Sequence, residues 1–411
     1  MTALSTTARL DRAFFLLLAD WLAVGVAIAL PWSTTATGIF IGAWLVVLLP
    51  TLDAAAVKRE LLTPAGGLPV LLWGLGVIGM LWADVGWTAR FGGLDGFDRL
   101  LIIPLLLAQF RRSRHGGWVV YGFLVSSASV LAASFVMVLT PGPAWRQFIV
   151  GIPVHDDIFQ GSAFLICGFG ALGCAGDKSL RRYWPAVLAL LVIAALFLAN
   201  FAFVVISRAA LVVAPVLAVL LGWRLFRWKG VLGACVVVAV IGAAFWFASP
   251  SMRERVHNSI EELREYRATN EATSLGMHAA FLKESLKVIV AAPVIGHGTG
   301  SISDEFRQVT AGGTGATAVA TVNPHNQTFA VAIQLGLVGA LVLWSMWVAH
   351  FLLFRGQGIA AWIGTVVVVE NIVSSTVHSH LFDFTHGWLY VFAVGVLGGM
   401  VLREREGSLH F

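Results

Sequence analysis

Long apolar runs, separated by short polar segments, make up most of the chain. Each run is close to the length of about 20 residues that an α-helix needs to cross the hydrocarbon core of a bilayer. A helix also satisfies every backbone hydrogen bond internally, as lipid requires. The pattern therefore predicts an all-α integral membrane protein with about 12 transmembrane helices. The predicted spans are 13–30, 37–52, 68–83, 97–110, 117–139, 160–176, 184–204, 209–226, 230–248, 326–354, 358–377 and 386–402.

The apolar stretch from Trp184 to Trp223 is too long for a single crossing, and its only charged residue, Arg208, lies near the middle. We therefore predict a helical hairpin with Ser207 and Arg208 at the bend.

Composition agrees with a membrane protein. Hydrophobic residues make up 58% of the 411 positions and charged residues 12%, against roughly 45–50% and about 25% in soluble domains. The formal net charge of +5 does not indicate nucleic-acid binding, because Lys and Arg clustered in short loops are what membrane topology requires. Cys167, Cys174 and Cys235 all fall inside predicted spans, so they indicate neither a disulfide framework nor a metal site.

The basic clusters fall at alternate ends of successive spans, and the positive-inside rule makes that side cytoplasmic. The opposite side receives the loops 140–160 and 374–386 and one large insertion. The chain thus divides into nine spans (1–248), a large periplasmic loop with amphipathic helices (249–325), and three spans with a short cytoplasmic tail (326–411). We predict that the first apolar run, 13–30, is an uncleaved transmembrane span, since it is too long for the apolar part of a secretory signal. The basic clusters are Arg9/Arg12, Lys58/Arg59, Arg111/Arg112/Arg114, Lys178/Arg181/Arg182, Arg224/Arg227/Lys229, Arg355 and Arg403/Arg405.

The two halves of the large insertion differ in pattern. Residues 252–271 mix charges of both signs, as a solvated helix does. From Met277 to Val290, apolar and charged residues give an amphipathic helix that stops near Pro293 and Gly296. Such a helix lies on the membrane surface or caps the bundle.

His325 opens the tenth span directly after Pro324, so it lies at a helix N-terminus that faces water or a cavity. The positive end of the helix dipole lowers the pKa of a nearby imidazole and favours the neutral form that a general base requires. A capping residue with no catalytic role is the alternative interpretation.

Two arginines on the same side are candidates for binding a phosphate group. Arg208 is costly at membrane depth, and its guanidinium grips phosphate oxygens bidentately in a way that Lys does not. Arg146 lies in a short outer loop beside Trp145, where topology disfavours positive charge. The alternative for both is that the side chain reaches the headgroups or anchors the interface.

Two further polar groups lie on this side. The Gly-rich turn from Pro293 to Gly300 could bring backbone N–H groups and His297 to an anionic ligand. The last outer loop is crowded with potential metal ligands, but their spacing matches no zinc or iron motif, so we predict no metal. These residues are His378, His380, Asp383 and His386.

Three of these features together resemble the bacterial O-antigen ligase family, within the superfamily of O-antigen ligases, polymerases and protein O-oligosaccharyltransferases. They are Ser207–Arg208 opening a span, the Pro293 to Gly300 turn, and the His325–Asn326 pair. That pair is followed after nine residues by Gly336-x-x-Gly339. The last pattern is specific to the superfamily rather than to the ligase branch.

The resemblance implies a membrane glycosyltransferase of the GT-C type in the bacterial inner membrane. It implies transfer of O-antigen polysaccharide from undecaprenyl pyrophosphate to the lipid A–core oligosaccharide on the periplasmic face, with no cofactor, metal or nucleic acid. His325 corresponds to the catalytic histidine, with His297 as a second candidate. Arg208 corresponds to the arginine that contacts pyrophosphate, and Arg146 is expected to assist.

One position departs from the family pattern. Where many relatives have an arginine near the start of the amphipathic helix of the loop, this chain has His278. Either His278, Arg264 or Arg267 supplies that function, or the role is absent. We retain His278 and Arg267 as candidates for contacting pyrophosphate.

Other functions remain open at this point. A polymerase of the same superfamily would use the same residues with a second lipid-linked glycan as acceptor. Protein O-oligosaccharyltransferases commonly carry extra sequence after the last span, and here only 403–411 remains, which disfavours that branch. A secondary transporter or lipid flippase is expected to show internal symmetry and midplane charges or broken helices, and the sequence pattern indicates neither.

Overall fold

The computed structural model describes residues 2–140, 142, 149–154, 156–177, 179–180, 182–204, 207–248 and 250–408. These residues form sixteen α-helices joined by short turns. The first eight are α1 (Thr2–Ala29), α2 (Thr34–Leu48), α3 (Ala54–Leu61), α4 (Pro64–Gly79), α5 (Trp87–Asp98), α6 (Ile102–Phe110), α7 (Gly116–Leu139) and α8 (Asp157–Ala175). The others are α9 (Trp184–Phe203), α10 (Arg208–Ala248), α11 (Pro250–Thr269), α12 (Ser274–Ala291), α13 (Ile302–Val309), α14 (Gln327–Leu353), α15 (Ile359–Ser374) and α16 (Phe384–Ser408).

The all-α class is confirmed, and every predicted span lies on helix. Eight helices of the described residues are long and apolar enough to cross a membrane. A ninth crossing results if the bent pair α3 and α4, which meet at 84°, counts as one span. Helix α15 is apolar but only 16 residues long. The chain is therefore a multi-pass membrane protein, and the number of twelve spans stays a prediction.

The helices that follow Trp184 are interrupted at two points. Helix α9 ends at Phe203 and α10 begins at Arg208, which places the first bend where it was predicted. The second bend interrupts α10 at Arg227, whose φ of 56° is not helical. A methyl group on Gly222 would overlap the backbone of Gly230, and residues eight apart meet this closely only when the chain reverses.

Several of the described basic residues that were predicted to be cytoplasmic meet at one end of the bundle. Arg111 joins three helices there, because its guanidinium donates to Glu60 at 2.9 Å and to Glu406 at 2.6 Å. Arg405 donates to the backbone oxygen of Arg355 at 2.6 Å. These contacts are consistent with a single basic face, as the positive-inside rule requires.

At the opposite end, helix α12 covers the bundle. Its apolar face buries Phe281 and Val288 against Phe306 of α13 and Ile333 of α14. The helix ends at Ala291, close to the predicted stop. The amphipathic segment therefore caps the bundle, which is one of the two arrangements predicted for it.

Candidate active site

Helix α14 is broken in the middle of an apolar span, although the sequence pattern indicated no broken helix. Gly336 has a φ of 62° and a ψ of −161°, a conformation that is accessible to glycine and strained for other residues. A break of this kind frees backbone groups that lipid cannot satisfy. The protein must therefore supply partners for them.

The Gly-rich turn at 293–300 supplies these partners by pairing with the broken backbone in both directions. Its amides reach carbonyls before the break, and its carbonyls accept from amides after the break. The bonds are His297 N to Ile333 O (2.8 Å), Gly298 N to Gln334 O (2.8 Å), Leu337 N to Pro293 O (2.8 Å) and Val338 N to Val294 O (3.2 Å). The turn and the Gly336 break are thus two halves of one structure.

These bonds change the role of the turn from the one predicted. The Thr299 amide donates to Gly79 O at 3.1 Å, and the Gly300 amide donates to Gln334 Oε1 at 2.8 Å. Because its amides are occupied by protein groups, the turn does not form an anion cradle. The His297 ring is also engaged, with Nε2 2.9 Å from the backbone oxygen of Val288 and Nδ1 3.1 Å from Glu305. This arrangement suits a residue that fixes the loop.

A strained turn holds His325 in front of α14. Its backbone has a φ of 54°, and such conformations cost about 1–3 kcal/mol when the surroundings enforce them. The enforcing contacts are local. Asn323 Oδ1 accepts from the His325 amide at 2.9 Å, and Asn326 caps the helix by accepting from the Phe329 amide at 3.0 Å.

The segment between α15 and α16 is hydrogen-bonded to the N-terminal end of α14. The Gln327 amide donates to Ser375 O at 2.9 Å, and its side chain accepts from the Leu381 amide at 2.9 Å. The Asn326 amide group donates to Thr376 O at 3.0 Å. As a result, residues 375–383 lie beside His325.

Five imidazoles form a continuous line, which we call the histidine row. It consists of His278, His325, His378, His380 and His386. The successive ring centroids are 4.5, 5.0, 5.0 and 3.9 Å apart. The row starts on α12, passes the N-terminus of α14 and ends on the first turn of α16.

The surroundings of His325 favour a neutral ring. The ring stacks on Phe281 with an interplanar angle of 11° and a centroid distance of 5.8 Å. Burial, with smaller contributions from His378 and His278, lowers the pKa of His325 to about 4. The direction agrees with the sequence prediction, but desolvation rather than the helix dipole is the main cause. His325 is therefore a neutral base at pH 7.

The far end of the row is acidic. His386 Nδ1 lies 3.0 Å from Asp383 Oδ1, and Asp156 lies close enough that one side-chain atom of each of the three falls within 4.8 Å of the others. Burial alone would raise the pKa of Asp383, but hydrogen bonds with His386 and Thr385 outweigh it and lower the pKa below its usual value. Because Asp383 and His386 are bonded to each other, we interpret them as a carboxylate–imidazole pair.

The start of α10 adjoins this acidic end. A methyl group on Gly161 of α8 would lie 3.3 Å from Ser207 Cβ, while Asp156 caps the same helix at the Phe159 amide. Arg208 is the first residue of α10, and its side chain lies outside the described part of the chain. Two helix N-termini thus meet beside His386.

The other predicted pyrophosphate residues are spread more widely. His278 packs on His325 with ring centroids 4.5 Å apart, which places it inside the histidine row. Arg267 is exposed in the last turn of α11. Arg146 lies outside the described residues. The roles of these residues, and of Arg208, in binding pyrophosphate stay predictions.

Sequence reasoning missed two buried charges near the row. Glu370 is 3% exposed on α15 and lies beside Ser162 and His386. Arg99 is 4% exposed and donates to the backbone oxygens of Phe382 and Asp383. For Glu370 the available signal was a lone charge within an apolar run, which is expensive and usually functional. Arg99 gave no such signal, because it directly follows Asp98.

Several nitrogens of the row are buried without a hydrogen-bond partner among the described residues. Each such group costs about 1–3 kcal/mol, so a cluster of them is hard to explain by packing. They are His325 Nδ1, His378 Nδ1, His386 Nε2 and both ring nitrogens of His380. This arrangement is typical of a site kept for its chemistry.

Comparison with known proteins agrees with the sequence. Residues 193–344 match the family described as O-antigen ligase, in agreement with the resemblance drawn from the motifs. The matched segment contains Arg208, the 293–300 turn, His325 and Gly336, whereas the last outer loop lies beyond it. A search of curated proteins finds no match.

Proposed function

We propose, from the O-antigen ligase family domain at residues 193–344, that this protein is an O-antigen ligase. It transfers O-antigen polysaccharide from undecaprenyl pyrophosphate to the lipid A–core oligosaccharide. The observation that carries the proposal is His325, a neutral, half-buried imidazole held at a helix N-terminus. It lies at the end of the bundle opposite the basic clusters, so we assign the site to the periplasmic face of the inner membrane.

The chemistry follows from what the donor already provides. Pyrophosphate activates the anomeric carbon as a leaving group, so the enzyme must stabilise the departing charge and deprotonate the acceptor hydroxyl. His325 takes the acceptor proton, a contribution that is typically about 10²- to 10⁴-fold in rate. Attack from the side opposite pyrophosphate inverts the anomeric centre.

We place the leaving pyrophosphate at the N-terminus of α10. The N-terminus of α8 is already capped by the carboxylate of Asp156. Partial positive charge at a helix N-terminus favours phosphate, and Arg208, the first residue of α10, adds a bidentate donor. Electrostatic stabilisation of this kind needs no metal.

We also propose, from the family resemblance, that the membrane fold is of the GT-C type.

An apolar groove adjoins the same helices and suits the isoprenoid chain of the donor. Its volume is about 1000 Å³, and it runs between α8, α9 and the two arms of α10. Leu211, one turn after Arg208, lines it, as do Phe169, Phe201 and Trp246. A polyprenyl tail in the groove would bring its pyrophosphate to the start of α10.

The experiment that tests the proposal uses ligase-deficient cells that express this protein at a verified membrane level. We expect the lipopolysaccharide ladder to return and lipid-linked O-antigen to fall. If the protein changes only the length of lipid-linked glycan, the polymerase function replaces ours. If neither the ladder nor the glycan changes, the transferase proposal is wrong.

The pH below which the reaction rate falls is expected to be unusually low. At pH 5, about nine-tenths of a base with a pKa of about 4 is neutral, against roughly 3% of an imidazole with the ordinary pKa of about 6.5. We therefore expect kcat/KM to persist to about pH 5 and to fall only near pH 4. In the His278→Asn variant, loss of a neighbouring imidazole should move the fall to higher pH.

The folding stability of the enzyme also changes in this pH range, so it must be measured alongside the rate. Unfolding returns His325 to its ordinary pKa, so its contribution to stability is complete above about pH 6.5 and is lost as the pH falls toward 4. Enzyme held at pH 5 and assayed at pH 7 controls for this loss. A wild-type profile that falls near pH 6.5 without inactivation would exclude His325 as the base with the lowered pKa.

A further inference from the structure

The histidine row extends beyond what the proposed base requires. A single imidazole at His325 is enough to accept a proton, yet three more rings follow it into the bundle, and His380 and His386 are 0% and 4% exposed. Hydrogen bonds hold the loop that carries these rings in place, between Gln327 and both Ser375 O and Leu381 at one end and between His386 and Asp383 at the other. The row connects the base to the acidic end, which adjoins the start of α10, where we place the leaving group.

We propose that His378, His380 and His386 form a proton relay between His325 and the leaving pyrophosphate. This inference rests on the proposed function. In this arrangement the three histidines position and move the proton, and His325 alone contacts the acceptor.

The relay balances the reaction without another reactant. The O–H bond of the acceptor breaks, its proton passes to His325 and its oxygen bonds to the anomeric carbon. The bond from that carbon to pyrophosphate breaks, and its electron pair leaves with the phosphate oxygen. His325 passes a proton through His378 and His380 to His386, which delivers one proton to that oxygen. One proton moves from acceptor to leaving group, and none is gained or lost.

Imidazole is the side chain suited to this task. It accepts a proton at one ring nitrogen and releases one from the other. His380 has both ring nitrogens buried without a partner among the described residues, and its ring centroid lies 5.0 Å from that of His378 and 3.9 Å from that of His386. His386 is oriented by Asp383 at Nδ1, which leaves its buried Nε2 toward the row or the substrate. An apolar residue would fill these positions at lower cost if packing were their only role.

The charges around the row give the transfer a direction. The rings nearest His325 are desolvated, and the pKa values of His378 and His380 lie below the ordinary imidazole value mainly because of burial. At the other end, His386 Nδ1 lies 3.0 Å from Asp383 Oδ1, and Asp156 is close to both. These two carboxylates stabilise an imidazolium at His386, so a proton released at His325 moves toward it.

Two other charged groups face the row. His278 of α12 adjoins His325, and the Arg99 guanidinium is bonded to the backbone of Phe382 and Asp383. His278 makes a positive charge on the His325 ring less favourable, and the positive charge of Arg99 makes protonation of Asp383 less favourable. Both residues are unchanged in the variants compared below, so these two effects are the same in each variant.

The test replaces one internal ring with a side chain that keeps a donor and an acceptor but cannot exchange protons between them. With purified donor and acceptor, His380→Gln should lower kcat about tenfold or more and leave the KM for the donor lipid unchanged. The deficit should narrow as the pH rises, because His325 then loses its proton to hydroxide. The solvent deuterium effect on kcat should exceed that of the wild type.

The matched control is His350→Gln. His350 is also fully buried, but it lies further along α14 and is hydrogen-bonded to Tyr390 and to Ala65 O. Its variant should keep the wild-type kcat, pH profile and isotope effect. His378→Gln is the second relay variant and decides the question if His380→Gln does not purify as a folded protein.

The outcomes separate the two proposals. If the wild type ligates and both relay variants match it in kcat, pH profile and isotope effect, the relay is wrong and the ligase function stands. If a variant loses donor binding along with kcat, its role is structural and the relay is again overturned. If the wild type itself does not transfer glycan, the proposed function fails.

Discussion

Replacing His325 with asparagine is expected to lower the rate of glycan transfer by about 10²- to 10⁴-fold, the range for loss of a general base. Asparagine is the appropriate substitute because His325 has a φ of 54°, and asparagine tolerates the left-handed region better than alanine does. The turn before α14 is thereby kept while the base is removed. Since we propose that pyrophosphate binds at the start of α10, away from His325, binding of the donor lipid should be unchanged.

The measurement is the initial rate of transfer by purified protein, together with the affinity for donor lipid. His257→Asn is the control, because His257 is an exposed residue of α11, with a side chain that is 71% accessible. It should retain the wild-type rate. A His325→Asn rate within a few fold of the wild type would show that this histidine only caps the helix.

Much of the local structure followed from the sequence because it depends on neighbouring residues. Apolar runs predicted the helices, and a single charge at Arg208 in a long apolar stretch predicted a hairpin there. His325 after a proline predicted an imidazole at a helix N-terminus. The amphipathic pattern from Met277 to Val290 predicted α12, and its stop at Pro293 was close to the observed end.

The arrangement of the site could not be obtained in this way. The histidine row joins α12, the start of α14 and the last outer loop, and periodicity carries no information about which of these meet in space. The turn at 293–300 was interpreted as an anion cradle because its glycines suggested free amides. Its partner, the break at Gly336, lies some forty residues away, and only the fold reveals that the amides are used.

The number of membrane crossings could not be obtained from the sequence pattern either, for a physical reason. The length criterion of about 20 residues holds for a helix that spans lipid on its own. A helix buried among others is relieved of this requirement, because neighbours satisfy and cover its ends. Helix α15 has 16 residues, ten of them buried, and α3 and α4 meet at 84°. Apolar runs therefore do not translate one to one into crossings.

Replacing Gly336 with alanine is expected to give the largest loss of folded protein of any single change to the site. The φ of 62° and ψ of −161° at Gly336 lie in a region that is essentially restricted to glycine, where another residue is strained by roughly 1–3 kcal/mol. In addition, the new methyl group would overlap the backbone oxygen of Val294. To relieve that contact, the 293–300 turn must separate from α14. The carbonyls freed by the break then lose their partners, at several kcal/mol each in a water-free interior.

Thermal unfolding of the purified protein in detergent measures this effect, with Gly42→Ala as the matched control. Gly42 lies within α2, and a methyl group there meets nothing within 4 Å. That variant should be as stable as the wild type or up to about 1 kcal/mol more stable, because alanine is the better helix former. Gly336→Ala should unfold at a clearly lower temperature or fail to accumulate. If the two variants unfold alike, the break does not depend on the turn, and the Gly-x-x-Gly pattern would have to be explained by substrate contact rather than by the fold.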